Sequence, residues 1–226
     1  PLADVLAQDI SLDFQVTEFT IDGTHFHRAI PGLFNIENAL AALSVARLLG
    51  IEATVASQAL SAVKGVPGRM ELVPNHMNAD ILIDYAVTPD AFEKLYASLL
   101  PLKIPGSKII HVFGACGDRD RGKRPQMTEI ASSYADIIIL TNEDPFFEDP
   151  EQILDDLEKG LTKKKDKEYF RILDRRAAIQ KALSLAEIGD IVIITGKGAE
   201  VTMAFGATRL PWNERSVIEE ELRKLT

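Results

Sequence analysis

The sequence has little of what would give it special chemistry. It holds one cysteine, Cys116, so an internal disulfide and a cysteine-rich zinc site are both excluded. A lone thiol fits a reducing compartment, and a cytoplasmic location is expected. Its four histidines, His25, His27, His76 and His111, show no metal-ligand spacing, and no metal site is expected. His25 and His27 share one face of a strand and read as a surface pair. The single tryptophan, Trp212, reads as core or interface. No apolar run approaches the ~18 residues of a transmembrane helix, and nothing at the start reads as a signal peptide. Membrane insertion is therefore not expected. Basic charge is outnumbered, with 25 Lys and Arg against 34 Asp and Glu and a net charge of −9. That balance argues against a nucleic-acid partner. The basic runs "DRDRGKR" and "KKKDKE" are local, and the second reads as a solvated loop. The 226 residues, 46% of them hydrophobic, suffice for one large domain or one and a half ordinary ones. The chain opens at Pro1 without Met and is expected to be part of a longer protein.

What is present is a strong rhythm. Residues 11–30 alternate around Phe14, Val16, Phe19, Ile21 and Phe26, with "DG" at Asp22–Gly23, which predicts a β-hairpin. "NIENALAALSVARLLG" follows as a helix with Ala39, Ala42, Leu43 and Ala46 inward and Gly50 at its C′ position. A short helix over Ala53–Val63, with Val55, Ala59, Leu60 and Val63 inward, leads to the linker-like "KGVPGR" at 64–69. Then strands and helices alternate. "ADILIDY", "KIIHVFG", "DIIILTN", "YFRIL" and "DIVIITG" read as strands. Between them, helices start behind Thr88–Pro89, at Pro125, behind Asp149–Pro150 with Gln152 completing a capping box, and at "DRRAAIQKAL"; a last helix is expected over 213–225. Such alternation implies an α/β fold, a Rossmann-like, mostly parallel sheet with helices on both faces. Right-handed crossovers gather the strand exits on one edge, where ligands bind. Four loops meet there: 114–124, 141–149, 174–176 and 196–200.

Gly117, Gly122 and Lys123 in "GACGDRDRGKRP" carry the G-x-x-x-x-G-K spacing of a phosphate loop. Arg124 stands where that loop needs a hydroxyl for Mg²⁺, and Asp118 and Asp120 would oppose a polyphosphate, so the spacing is read as coincidence. The loop offers Arg119 and Arg121, whose forks suit a carboxylate; a self-paired salt-bridge loop is the alternative. Cys116 reads as a small buried residue rather than a nucleophile. In "TNEDPFFED", Asp149 reads as a helix cap, while Glu143 and Asp144 are expected to be freer to face a ligand. In "GKGAE", Gly196 and Gly198 permit close backbone approach, and Lys197 and Glu200 supply opposite charges.

In order, "GLFNIENALAAL", "GRMELV", "DYAVTPDAFEKL", "FGACGDRDRGKRPQM", "NEDPFFEDP", "DRRAAIQKAL" and "GKGAE" give the chain its resemblance to the Mur ligases. It is most similar to the MurE-type members, which join a diamino acid to UDP-N-acetylmuramoyl-L-alanyl-D-glutamate in peptidoglycan precursor synthesis. The resemblance implies that residues 1–67 are the tail of the central ATP-binding domain and 68–226 the amino-acid-binding domain. It implies ATP and Mg²⁺, held mainly by a central domain whose phosphate loop this sequence does not contain, and an acyl-phosphate intermediate. No catalytic residue is then expected within this stretch, which by itself should be inactive. Asn35, Asn38, Arg69, Asp84 and Tyr85 match the family's ATP-contacting positions. Arg119 matches the arginine that pairs with the amino acid's carboxylate. Gly196 and Glu200 match the pair that holds its far amino end. A monomer is expected, with the UDP-MurNAc-dipeptide and a diamino acid as partners.

Three departures stand out. Val87 replaces a histidine in the usual "DYAHTP", and Ala199 another in "GKGHE". Where diaminopimelate-adding members have "DNPR", this chain has "EDPF", with Phe146 in place of the arginine and an acid at Asp144. That change favours L-lysine over meso-diaminopimelate. A sister ligase of the same superfamily and an isolated binding module are the alternatives.

Overall fold

The computed structural model describes residues 4–28, 31–162 and 168–225; residues 163–167 of the "KKKDKE" tract lie outside them. The chain forms two compact units, Pro1–Val66 with Ala97–Leu102, and Pro67–Tyr96 with Lys103–Thr226.

In the first unit, β2 (Thr17–Ile21) and β3 (Thr24–Arg28) form the expected hairpin. Asp22 and Gly23 take φ of 48° and 77°, the left-handed pair that a two-residue turn requires. A strand not foreseen, β1 (Gln8–Leu12), extends the sheet through a bulge. Helix α1 (Leu33–Leu48) buries Ile36, Ala39 and Leu43 against Phe19 and Phe26, which stack as cross-strand partners. Ala42, expected inward, is exposed. Helix α2 (Ala53–Ser61) turns Ala56 inward with Leu60 partly buried. Val55, Ala59 and Val63 are exposed instead, because Ser57 and Ser61 bond the His25 and His27 carbonyls and fix the helix rotation.

The second unit carries a six-stranded sheet. Its strands are β4 (Glu71–Val73), β5 (Asp80–Asp84), β6 (Ile109–Phe113), β7 (Ile137–Leu140), β8 (Tyr169–Arg171) and β9 (Ile191–Thr195). Their order is β4-β5-β9-β6-β7-β8, parallel except for β4 at the edge. Ile81, Ile83, Ile110, Val112, Val192 and Ile194 point to one face, covered by α6 (Arg175–Leu185) and α7 (Glu214–Leu222). On the other face His111 and Phe113 meet Phe92 of α3 (Pro89–Leu99), at ring separations of 4.9 and 5.1 Å. The alternation of strand side chains thus requires both helical layers.

Caps begin these helices largely where the sequence places them. Thr88 Oγ1 accepts the Ala91 N–H. Asp149 caps α5 (Pro150–Glu158), Asp174 caps α6 and Asn213 caps α7. Helix α4 (Lys123–Tyr134) starts two residues before Pro125, since the first turn of a helix needs no proline N–H. A hairpin absent from the sequence reading, β10 (Thr202–Phe205) and β11 (Thr208–Pro211), follows β9.

The strand order matters for the site. β9 is the last strand of the alternation, yet it lies between β5 and β6. Its exit loop, 196–200, therefore emerges between Tyr85 and the 114–124 loop.

Candidate functional site

Two glycines let the strand-exit loops lie against each other. A Cβ on Gly114 would sit 2.4 Å from the Thr141 carbonyl oxygen, and one on Gly117 1.8 Å from that of Pro145. The Gly117 N–H donates to the Asp144 carbonyl at 2.8 Å. These loops are fastened underneath by Arg124, which is fully buried and holds Glu148, Asp156 and the Cys116 carbonyl at 2.9, 3.0 and 3.1 Å. The acids of the 114–124 loop serve the backbone. Asp118 accepts the Phe147 N–H, Asp120 the Gly122 N–H, and Arg121 pairs with Glu148. The phosphate-loop spacing is thus coincidental: the N–H groups of Gly117 and Gly122 are taken, and Lys123 donates to the Val87 carbonyl.

Glu143 and Asp144, expected to be free to face a ligand, are both buried. Lys197 is the reason for Asp144. Its buried ammonium meets Asp144 at 2.8 Å and also Glu200, while the other Asp144 oxygen accepts the Ala204 N–H at 2.7 Å. Glu200 in turn accepts the Tyr85 hydroxyl at 2.9 Å, and that bond, more than burial, pushes the phenol up to about 12. Glu143 is different. One oxygen accepts the Cys116 thiol at 2.9 Å, but Oε2 is buried with no partner. It faces Gly196, where a Cβ would approach it to 2.6 Å. Burial raises the Glu143 carboxyl above its usual range, against the thiol bond and the Arg175 and Lys197 charges. Burial, then the Glu143 charge, pushes the Cys116 thiol well up, which makes it a poor nucleophile. Two carboxylates, Asp144 and Glu200, therefore converge on one ammonium, and beside them one Glu143 oxygen is unmatched.

Beyond this acid cluster lies positive charge. Arg119 is exposed, donates to the Asp118 carbonyl at 3.3 Å, and stands 5.5 Å over the Phe146 ring. Arg209 of β11 stands 5.0 Å over the same ring. An acid cluster beside unneutralised guanidinium groups can hold a zwitterion, ammonium end to carboxylate end.

A second cleft of about 280 Å³ is lined by Pro67, Gly68, Arg69, Tyr85, Ala199 and Glu200. Arg69 lies 4.5 Å over the Tyr85 ring and is exposed, free to meet a phosphate. Asp84 does not reach out: its oxygens accept the Met70 and Ala86 N–H groups at 2.8 Å. Burial still raises its carboxyl above the ordinary range. In the first unit, Asn35 is buried and donates to the Pro31 carbonyl at 2.6 Å, while Asn38 is exposed beside it. Among the described residues no group of three or more His, Cys, Asp or Glu is placed to hold a metal ion. No described helix is long and apolar enough to cross a membrane.

Sequence reasoning missed Lys197 as the hub, the Cys116–Glu143 contact, Arg175 and Arg209. Charged residues read as surface by default; the only signal for Lys197 was its place between two loop glycines.

The family described as "Mur ligase, glutamate ligase domain" matches residues 68–198. The UDP-N-acetylmuramoyl-L-alanyl-D-glutamate–2,6-diaminopimelate ligase of Alkaliphilus oremlandii is 39% identical, over 98% of this chain and 46% of that protein. The UDP-N-acetylmuramyl-tripeptide synthetase of a Roseiflexus species is 38% identical, over 99% of this chain and 45% of its own length. A solved UDP-N-acetylmuramoyl-L-alanyl-D-glutamate–2,6-diaminopimelate ligase superposes with a TM-score of 0.69 at 32% identity, covering 99% of this chain and 46% of its own. The MurF ligase of Thermotoga maritima, solved with ADP, shares the fold at a TM-score of 0.66 and 21% identity, over 99% of this chain and 48% of its own. The chain thus spans a little under half the length of these relatives.

Proposed function

The chain belongs to the Mur ligase family through its glutamate ligase domain, and on that footing we propose that it is the C-terminal part of a MurE-type ligase. The full enzyme would add a diamino acid to UDP-N-acetylmuramoyl-L-alanyl-D-glutamate, with residues 1–67 closing the central ATP-binding domain and 68–226 binding the amino acid. The observation that carries this is the unmatched Glu143 oxygen among three carboxylates, next to the exposed Arg119 and Arg209. That arrangement suits a ligand with both ammonium and carboxylate ends.

ATP with Mg²⁺ would supply the phosphoryl group that turns the D-glutamyl carboxylate into an acyl phosphate. This chain's part is binding and orientation. Glu143 and Glu200 accept from the amino groups, Arg119 holds a carboxylate, and the amine is thereby aimed at the activated carbonyl. Arg69 is the residue here that fits a nucleotide phosphate, with Tyr85 beneath it. Tyr85 also steadies Glu200, so the nucleotide and amino-acid clefts share a side chain. Asp84 orders the Met70 turn and would act through it. Asn35 and Asn38 would face the adenine side. By itself the chain should not hydrolyse ATP, because the N–H groups of its one phosphate-loop-like run are already committed.

Two amino acids compete. Phe146, without charge, supports L-lysine. Asp144, the other support for L-lysine, is neutralised by Lys197. Arg209 and the relatives' 2,6-diaminopimelate names support meso-diaminopimelate, which is placed first, with L-lysine as the second reading. The test is ADP release by the full-length enzyme containing this chain. Release is expected only when the UDP-dipeptide and a diamino acid are both present. Equal release with L-alanine or D-glutamate would remove the diamino-acid reading.

A further inference from the structure

Phe146 is held in an unfavourable backbone state. Its φ of 50° is an outlier for a bulky side chain. The β10–β11 hairpin over-determines it: the Phe146 carbonyl accepts the Gly206 N–H at 2.7 Å, and Phe146 bridges Phe205. Such outliers persist where surrounding contacts fix them, and they cluster at ligand sites. Here the fixed ring lies under two guanidinium groups, Arg209 at 5.0 Å and Arg119 at 5.5 Å.

Neither arginine has an acidic partner among the described residues. Arg119 donates only to a neighbouring carbonyl, and Arg209 makes no side-chain hydrogen bond. Elsewhere this acidic chain pairs its arginines with carboxylates, as at Arg121, Arg124, Arg171, Arg175 and Arg215. Two like charges over one ring, without a counter-ion, leave room for an anion. The hairpin also fixes where that anion would sit. Arg209 is the cross-strand partner of Ala204, and the Ala204 N–H is bonded to Asp144. Arg209 is therefore tethered at the rim of the carboxylate cluster that meets Lys197.

Resting on the diamino-acid reading above, we propose that Arg209 is a specificity-determining residue. Arg209 holds the carboxylate of a dicarboxylic diamino acid that L-lysine lacks, Arg119 holds the one both substrates carry, and the Phe146 ring lies against both guanidinium groups. The charge that position 146 lacks is supplied from the hairpin. A planar fork lying on a ring is pre-organised for a carboxylate, and a lysine there would lose both the stacking and the bidentate geometry.

The test uses the full-length enzyme, with meso-diaminopimelate and L-lysine as the varied substrates. Arg209 is exposed, so its replacement leaves the core intact. Arg209→Ala should raise KM for meso-diaminopimelate about 10- to 100-fold with kcat within about twofold. KM for L-lysine should move by less than about twofold. Arg209→Lys should fall between. Equal rises for both substrates, or no rise for either, overturn the clamp and leave the ligase reading standing. A wild-type enzyme that takes L-lysine and not meso-diaminopimelate does the same. A wild type that uses neither overturns both.

Discussion

Glu143 is held in a state the fold alone would not choose. It is 3% exposed, its Oε2 has no partner, and burial raises its carboxyl above the ordinary range. A carboxyl whose folded value is raised destabilises the native state at higher pH, and that cost disappears as pH falls through the raised value. Glu143→Gln removes the charge at nearly constant volume. The unfolding free energy at pH 8 is expected to rise by roughly 1 kcal/mol, since the one incompletely compensated carboxylate of the cluster is gone. At the same time KM for the amino acid in the full-length enzyme should rise at least about tenfold, as a charge-assisted bond to the ligand's ammonium is lost. A purely structural Glu143 would give the reverse pair of results, lower stability and an unchanged KM. Denaturant titration and steady-state kinetics on the same preparation separate the two.

Arg175 fastens several elements at once. From the first turn of α6 it donates to the Asn142 carbonyl after β7 at 3.2 Å and to the Thr195 carbonyl ending β9 at 2.8 Å. It also makes a buried ion pair with Glu214 of α7, whose carboxylate takes the Trp212 indole N–H. Replacing one member of such a pair strands the other. Arg175→Met is expected to cost about 3–5 kcal/mol of unfolding free energy. Arg175→Met with Glu214→Gln should recover part of it, and equal losses in the single and double variants would show that the ion pair is not what binds these elements. None of this fastening was legible beforehand, whereas the elements it joins were. The five apolar strand runs and the capped helices carry strong local signals, so β5 to β9 and α3 to α7 fall close to their expected places. β1 and β11 are largely exposed, β4 is three residues long, and β10 is held by Asp144 and Phe146, remote in sequence. Such strands have no local pattern to read. The site divides in the same way. Arg119, Glu143 and Glu200 stand out as residue types at strand exits. The burial of Lys197 depends on β9 inserting between β5 and β6, a topological fact no local window contains.

At the scale of the whole molecule, acid sensitivity should trace to the sheet's centre. His111 is fully buried, between the Tyr96 hydroxyl at 2.7 Å and the Thr195 hydroxyl at 2.9 Å. Burial, with a smaller push from the Arg175 charge, lowers its imidazole from 6.5 to about 3. In the unfolded chain the same ring takes a proton near 6.5. Between those values the unfolded state binds more protons than the native one, so stability falls as pH falls. The contribution is fully present above about 6.5 and is lost progressively down to about 3, at up to about 1.4 kcal/mol per pH unit. Glu143 and Asp84, both raised, act in the opposite direction and gain stability as pH falls through their native values. Glu148, Asp156 and Glu221, each held low by a hydrogen bond to Arg124, Lys159 or Lys224, lose stability as pH falls toward their native values, so a single profile mixes all of these groups. Comparing the chain with His111→Gln isolates the histidine, because the shifted carboxyls are common to both proteins. The variant should be less stable at pH 7.5 by about 1–3 kcal/mol, from imperfect replacement of two buried hydrogen bonds. Its stability should then fall less steeply from pH 6.5 to 4.5, so that the two curves converge. Parallel curves across that window, measured by urea unfolding at half-unit steps, would mean that the buried imidazole is not the group that makes the fold acid-sensitive.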